Sequence, residues 1–277
     1  MKREDLELIV ALCRNRAGLK IDIEKTYLIE SRLAPLARRD GFGSIPDMIA
    51  ALRDKREDKL AWAIVEAMTL NETAFYRDPE VFSFLTAEAL PHLARRRAPT
   101  AAPLRAWSAG CATGQELYSL AMQIDAVRGA LGGVQVELYG SDLSERCMEK
   151  AQTGLYTQFE VQRGLPIRQL VDYFEKQEEM WLMSPRIRQM ARWRRINLLA
   201  DLTPLGQFDM ILCRNVVSQM DETSKVRVLE GLAPRLAPDG LLILGAQEIA
   251  ATSAEPYLPL AGRPGLYSRN PAYRAAA

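Results

Sequence analysis

A single histidine, His92, stands in the 277 residues, so the chain has no material for a His-rich metal site or a Ser/His/Asp relay. Any chemistry it performs works without histidine. The four cysteines, Cys13, Cys111, Cys147 and Cys213, are scattered without a Cys-x-x-Cys spacing. That argues against a zinc site and a disulfide framework, and reads as reduced thiols in a cytoplasmic protein. Charge of one sign is not in excess either: 36 Lys and Arg face 35 Asp and Glu, a formal net charge of +1. A broad duplex-binding face is therefore disfavoured, and nucleic acid is not the expected partner. No apolar run approaches the roughly 20 residues that span a bilayer; the longest near the end is Leu241 to Ala246. The opening Met1-Lys2-Arg3-Glu4-Asp5 leads into an amphipathic pattern carrying Arg14, Arg16 and Lys20, not an apolar signal core. A soluble monomer without membrane insertion is expected.

What is present is ordinary for a soluble protein, 48% hydrophobic and 26% charged, with length enough for one large or two unequal domains. Residues 1–70 show helical spacing in Leu6, Ile9, Val10 and Cys13, in Tyr27, Leu28 and Leu33, and in Ile45, Met48, Ile49 and Leu52, which predicts an all-α N-terminal domain. Residues 71–103 read as a linker with a helix, and its periodicity gives way around Ala94-Arg95-Arg96-Arg97-Ala98-Pro99. From residue 104 to 277 short apolar runs alternate with amphipathic stretches. Leu104 to Ser108, Val134 to Gly140, Phe208 to Cys213 and Leu241 to Leu244 predict strands; Glu116 to Val127, Ser144 to Ala151 and Glu222 to Leu236 predict helices. This alternation implies an α/β, Rossmann-like parallel sheet with ligands beyond the carboxyl ends of its strands. Residues 156–196 interrupt it. A helix near Ile167 to Phe174 and a strand pair, Trp181-Leu182-Met183 with Ala191-Arg192-Trp193, predict a small inserted antiparallel β-subdomain.

The first predicted strand runs into Ser108-Ala109-Gly110-Cys111-Ala112-Thr113-Gly114-Gln115-Glu116, a small-residue loop opening a helix. Glycines there let backbone N–H groups approach a ligand, although such turns are structural at least as often. The second strand ends in Gly140-Ser141-Asp142, which places a carboxylate where nucleoside-binding folds hold a ribose cis-diol. Asp142 suits a helix cap equally, and by itself leaves both roles open.

Asn71-Glu72-Thr73-Ala74-Phe75-Tyr76-Arg77 resembles the Asn-x-Thr-x-Phe-Phe-Arg motif of the chemotaxis receptor (protein-glutamate O-) methyltransferases, the CheR-like family. Further segments match in order: Trp107 to Glu116 resembles the family's glycine loop, Gly140-Ser141-Asp142 its ribose carboxylate, Asn197-Leu198-Leu199 its adenine-side segment and Cys213-Arg214-Asn215-Val216 its fourth-strand signature. The resemblance implies a methyltransferase that uses S-adenosylmethionine to form glutamate methyl esters on the cytoplasmic domain of methyl-accepting chemotaxis receptors. It places Asn71, Thr73, Arg77, Gly110, Glu116, Asp142, Asn197, Leu198 and Asn215 around the cofactor. Arg77 would face the methionyl or the substrate carboxylate, a role its fork suits; a surface charge on a helix is the bland alternative. Arg32, Arg38 and Arg39 resemble the family's receptor-facing basic helix, and the short, glycine-free Glu175-Lys176-Gln177-Glu178-Glu179 resembles the branch that does not grip a receptor tail.

Three departures stand out. The family's Glu-Glu-Pro-Tyr is Gln115-Glu116-Leu117-Tyr118, its Gly-His-Ser-Glu-like turn is Gly245-Ala246-Gln247-Glu248, and Gln219 stands where a tyrosine is expected beside the reacting methyl group. Gln219 is thus the second candidate catalytic residue besides Arg77, and its identity also admits a weak or silent S-adenosylmethionine-binding scaffold. The Asp/Asn-Pro-Pro-aromatic tetrad of amine and nucleic-acid methyltransferases is absent.

Overall fold

The helical spacing of the first seventy residues is realised in a computed structural model as α1 (Arg3–Ala17), α2 (Thr26–Arg39), α3 (Ile45–Lys55) and α4 (Asp58–Met68). The structure describes residues 1–55, 58–250 and 256–273. By its contacts the chain divides into two units, residues 1–70 with 216–228, and residues 71–215 with 229–277. In the first unit the apolar stripes meet around Ile9, Cys13, Ile29, Leu33, Met48, Ile49, Ile64 and Val65, all buried. Gly18, with φ 67, closes α1 by returning its N–H to the Arg14 carbonyl. Tyr27 and Leu28 depart from expectation: they are 66% and 37% exposed. The inward stripe of α2 is Ile29, Leu33, Leu36 and Ala37, and the two residues before it fall off that face.

The second unit contains a seven-stranded sheet. Its strands are β1 (Leu104–Ala109), β2 (Val136–Asp142), β6 (Ala191–Arg195), β7 (Phe208–Cys213), β8 (Leu236–Leu244), β9 (Tyr257–Pro259) and β10 (Leu266–Arg269). The order is β6-β2-β1-β7-β8-β10-β9. The first five strands run parallel and β10 and β9 add antiparallel pairs. β7 is buried along its whole length, as a central strand covered on both faces must be. Helix α5 (Pro79–Phe84) continues through a π-helical turn into α6 (Leu90–Arg97), followed by α7 (Gln115–Ala126), α8 (Glu145–Thr153), α9 (Gln158–Gln162), α10 (Ile167–Tyr173), α11 (Pro185–Arg188) and α12 (Glu222–Leu232). The α6 helix outlasts the expected break because arginines are good helix formers and favour its carboxyl end. The predicted helix to Leu236 ends earlier: Pro234 lies in a short 3₁₀ turn and Leu236 opens β8.

The inserted sheet forms with a different partner. β5 (Met180–Met183) pairs antiparallel with β4 (Phe174–Gln177) and with β3 (Leu155–Thr157), and Ala191–Arg195 joins the main sheet beside β2 instead. The local sequence marked both strands but could not assign partners. Arg192, Arg194 and Arg195 are exposed on β6, where arginines guard a sheet edge against further pairing. The segment Glu175 to Glu179 is not a free connection: its first three residues lie in β4, and only Glu178 (φ 52) and Glu179 form the turn.

Register places Gly140 of β2 opposite Trp193 of β6, and a Cβ on Gly140 would lie 2.3 Å from the indole. Gly140→Ala should therefore lower stability by about 1–3 kcal/mol in thermal unfolding. Trp193→Leu in the same chain should return part of that loss, a coupling that a double-mutant cycle measures.

Candidate functional site

The loop after β1 is shaped by three residues with positive φ, Gly110 (82°), Ala112 (47°) and Gly114 (93°). Its backbone is fastened to the end of β2. The N–H groups of Gly110 and Cys111 donate to the Ser141 carbonyl at 2.8 and 2.9 Å, and the Ala112 N–H donates to Asp142 Oδ2 at 2.9 Å. Gly114 admits no side chain, since a Cβ would lie 2.9 Å from Trp193 and 3.0 Å from the Ala151 Cβ. From the inserted sheet, Tyr156 donates its hydroxyl to the Thr113 carbonyl at 2.8 Å.

Asp142 is a structural anchor between the loop and the start of α8. Its Oδ1 accepts the Ser144 N–H at 2.9 Å, and Ser144 in turn caps α8.

The segment Asn71–Asp78 has no regular structure, so Arg77 is not on a helix. It is held from behind. Phe75 is buried between Tyr156 and Phe174, with ring centroids 5.1 and 5.6 Å away, and the Tyr76 N–H donates to Ser119 Oγ at 3.0 Å. Tyr76 and Asp78 take φ of 49° and 57°, a conformation that costs a bulky residue of order 1–3 kcal/mol. The exposed Arg77 side chain between them makes one long contact, Nη1 to the Glu72 carbonyl at 3.4 Å.

What stabilises this kink is Arg214, whose side chain is 1% exposed. Its Nη2 donates to the Arg77 carbonyl at 2.9 Å and to the Asp78 carboxylate at 2.5 Å, and its Nη1 donates to Glu116 Oε2 at 3.0 Å. Ser108 of β1 donates to the other Glu116 oxygen at 2.7 Å. Asn215 follows with φ 59, and Glu248 Oε2 accepts both its N–H, at 2.7 Å, and that of Gly245, at 2.8 Å. Beyond β6, Asn197 Oδ1 accepts the Leu199 N–H at 3.1 Å while Leu198 is buried.

Nine of the expected residues, Asn71, Thr73, Arg77, Gly110, Glu116, Asp142, Asn197, Leu198 and Asn215, thus fall in the second unit. Gly110, Asp142, Asn197 and Asn215 follow or end the parallel strands β1, β2, β6 and β7 at their carboxyl ends, where open α/β sheets bind ligands. Gln219 belongs to the first unit; its Nε2 donates to the Leu70 carbonyl at 3.4 Å and its own carbonyl accepts the Lys20 N–H at 2.8 Å. Arg32 gives Nη1 to the Met68 carbonyl at 2.8 Å, Arg39 is bidentate with Asp40, and Arg38 is exposed.

Arg214 and Glu248 were not singled out from the sequence as site residues. Their signal was present: a guanidinium directly after the wholly apolar Ile211-Leu212-Cys213, and an acid in the turn after β8. Burial pushes the Cys111 and Cys213 thiols well above their ordinary range, with Asp142 and Glu116 near the first and Glu248 and Glu116 near the second adding to the effect. Both stay protonated at neutral pH. Among the described residues no group of His, Cys, Asp and Glu could hold a metal ion.

Arg214→Met should leave Glu116 without its cation and release the Arg77–Asp78 kink. A loss of about 3 kcal/mol in urea unfolding is expected, and adding Glu116→Gln should recover part of it.

Comparison with known proteins agrees with the geometry. Residues 4–69 match the family model described as CheR methyltransferase, all-alpha domain, and residues 71–260 match CheR methyltransferase, SAM binding domain. Chemotaxis protein methyltransferase 1 of Pseudomonas aeruginosa is 34% identical over 269 residues, covering 96% of this chain and 97% of that one. Chemotaxis protein methyltransferase Cher2 of Pseudomonas putida is 32% identical over 266 residues, covering 95% and 96%. Chemotaxis protein methyltransferase 1 of Vibrio cholerae is 31% identical over 255 residues, covering 91% of each. No helix of the described residues is long and apolar enough to cross a membrane. The resemblance carried by the ordered motifs is therefore a family relationship along both units: the chain belongs to the CheR methyltransferase family, and S-adenosylmethionine is its cofactor.

Proposed function

We propose that this chain methylates glutamate side chains in the cytoplasmic domain of methyl-accepting chemotaxis receptors, acting in the cytoplasm as a monomer. The observation that carries the reading is the set of groups at the carboxyl ends of β1, β2, β6 and β7, together with an exposed guanidinium at Arg77. S-adenosylmethionine presents a cis-diol, an α-carboxylate and an adenine, and these residues fit it. Asp142 brings a carboxylate to the diol, Arg77 is a fork for a carboxylate, and Asn197 with the buried Leu198 offers polar and apolar contact for the base. Asn71, Thr73, Gly110 and Asn215 complete the pocket. Glu116, held in place by Ser108 and Arg214, lines the pocket with them.

When bound, the cofactor supplies a methyl group on an electrophilic sulfonium. The chain's own task is then positioning. A glutamate acceptor is already ionised near neutral pH, with a reference pKa of about 4.3, so no residue here has to remove a proton. Gln219 has an amide N–H to orient an acceptor oxygen, as a tyrosine hydroxyl would. Its side chain has more rotatable bonds, and looser alignment of this kind can cost about 10²-fold in rate. Residues 1–70, with Arg32, Arg38 and Arg39, form the receptor-docking domain on this reading, residues 71–103 the linker, and residues 104–277 the methyltransferase domain with its insertion.

Tritiated methyl transfer to receptor-rich membranes, with base-labile product collected as methanol, tests the reaction; transfer that yields only base-stable product would exclude a glutamate ester. Gln219→Tyr should raise kcat and leave cofactor affinity unchanged. Asp142→Ala should weaken cofactor binding in calorimetry by about 1–3 kcal/mol and also lower the melting temperature of the cofactor-free protein, because the Ala112 and Ser144 N–H groups lose their acceptor. Unchanged affinity would remove Asp142 from the ribose role.

A further inference from the structure

The turn after β8 carries one buried acid among exposed neighbours. Ala246, Gln247 and Ile249 face solvent, while Glu248 is 6% exposed. Its backbone is fixed from two sides. The Glu248 N–H donates to the Gly245 carbonyl at 2.8 Å, and the Tyr267 hydroxyl of β10 donates to the Glu248 carbonyl at 3.5 Å while accepting the Ala250 N–H at 3.3 Å. Burying a carboxylate is costly unless donors meet its charge, so the donors it meets show what it does. Oε2 takes the N–H of Gly245, just past β8, and the N–H of Asn215, just past β7. The parallel pairing of these two strands runs up to Cys213 opposite Leu244. Where it stops, one carboxylate oxygen holds both chains.

The place matters because the strand order β6-β2-β1-β7-β8 reverses direction between β1 and β7, and open α/β sheets bind ligands at such a switch point. Asn215 follows β7 there with φ 59, a left-handed conformation that asparagine visits more readily than most residues. Its N–H bond to Glu248, at 2.7 Å, holds that conformation. The same turn directs its amide. A Cβ on Gly245 would lie 2.9 Å from Asn215 Nδ2 and 2.9 Å from Glu248 Oε2, so amide and carboxylate both lie against the bare Cα of Gly245. We infer that Glu248 is a positioning residue for S-adenosylmethionine: with Gly245 it sets the backbone and the amide of Asn215, and it acts on the cofactor through that residue. The inference rests on the proposed place of Asn215 in the cofactor pocket, and all three residues belong to the second unit.

The test uses the full chain, calorimetry with S-adenosylhomocysteine as the probe, and a second background, Asn215→Gly, which keeps the left-handed backbone and removes the amide. Glu248→Ala should weaken binding about tenfold, because two buried N–H groups lose their acceptor and the Asn215 backbone is released. Glu248→Gln, whose amide oxygen can still accept both, should stay within about threefold of wild type. Gly245→Ala keeps the carboxylate and crowds the amide, and should cost about fivefold. In the Asn215→Gly background, Glu248→Ala and Gly245→Ala should each cost less than about twofold, since the group they position is gone. In methyl-transfer assays both should raise the KM for S-adenosylmethionine and leave kcat within about twofold. Thermal unfolding shows which variants fold, and Gly245→Ala carries the cycle if Glu248→Ala does not. Equal losses in both backgrounds would mark a brace that acts on the whole fold and overturn the inference, as would wild-type affinity in Glu248→Ala and Gly245→Ala. Wild-type affinity in Asn215→Gly would overturn it together with the pocket place of Asn215. The expected coupling in a chain that forms no base-labile methyl product would uphold Glu248 as a positioning residue and overturn the glutamate reading alone.

Discussion

One buried guanidinium holds the cofactor half of this chain in its working shape. Arg214 sits at the end of the central strand and reaches two carboxylates and one carbonyl that come from two separate stretches, Glu116 at the start of α7 and the adjacent Arg77 and Asp78. Charge-assisted bonds of this kind are about twice as strong as neutral ones, and here they offset two unfavourable φ values, at Tyr76 and Asp78. Without a cation below the kink the two acids would lack a counter-charge, and the strained backbone would keep only the Phe75 packing and the Tyr76 N–H bond to Ser119. Arg77 keeps its side chain exposed because its carbonyl, and not its guanidinium, is the group that is tied down.

A second constraint is steric. Trp193 fills the space left by the missing side chains of Gly140 and Gly114, so the edge strand β6 presses on the glycine loop from one side. The inserted sheet supports it from the other through the Tyr156 hydroxyl on Thr113. The same insertion grips Phe75 between Tyr156 and Phe174, and a Cβ on Gly164 would lie 2.1 Å from the Phe75 carbonyl oxygen. The inserted segment is thus joined to both the loop and the Arg77 segment, and any distortion of its aromatic core would be felt at each of them.

How much of this was legible in the sequence depended on the range of the interaction. Strands β1, β2 and β7 announced themselves as short apolar runs, and Asp142 could be placed at the end of β2 because that position is a local property. Pairing was not local: Trp181 to Met183 and Ala191 to Trp193 both read as strands, yet one belongs to the small sheet and the other to the large one. Tyr27 and Leu28 joined the expected apolar stripe because hydrophobicity does not say which side of α2 faces the core. Arg214 lay inside a quoted motif, but its importance comes from partners 98 and 136 residues away, a separation that no periodicity encodes. The strain at Tyr76 was likewise invisible, since nothing in a tyrosine marks a positive φ.

The scarcity of histidine, the first thing the sequence shows, acquires a physical meaning from this arrangement. On the proposed reading the acceptor is already an anion, and such a reaction asks for alignment and controlled loss of water, not proton transfer. The side chains gathered at the strand ends are suited to that: amides, a fixed carboxylate, a fork, and thiols that burial keeps neutral. A thiolate or imidazole there would compete for an electrophilic methyl group. Groups that hold position without offering a strong nucleophile are the ones this fold retains. On the same proposed reading, an amide in place of a phenol at position 219 stays within that rule, because it exchanges one weakly nucleophilic hydrogen-bonding group for another and leaves the charge alone.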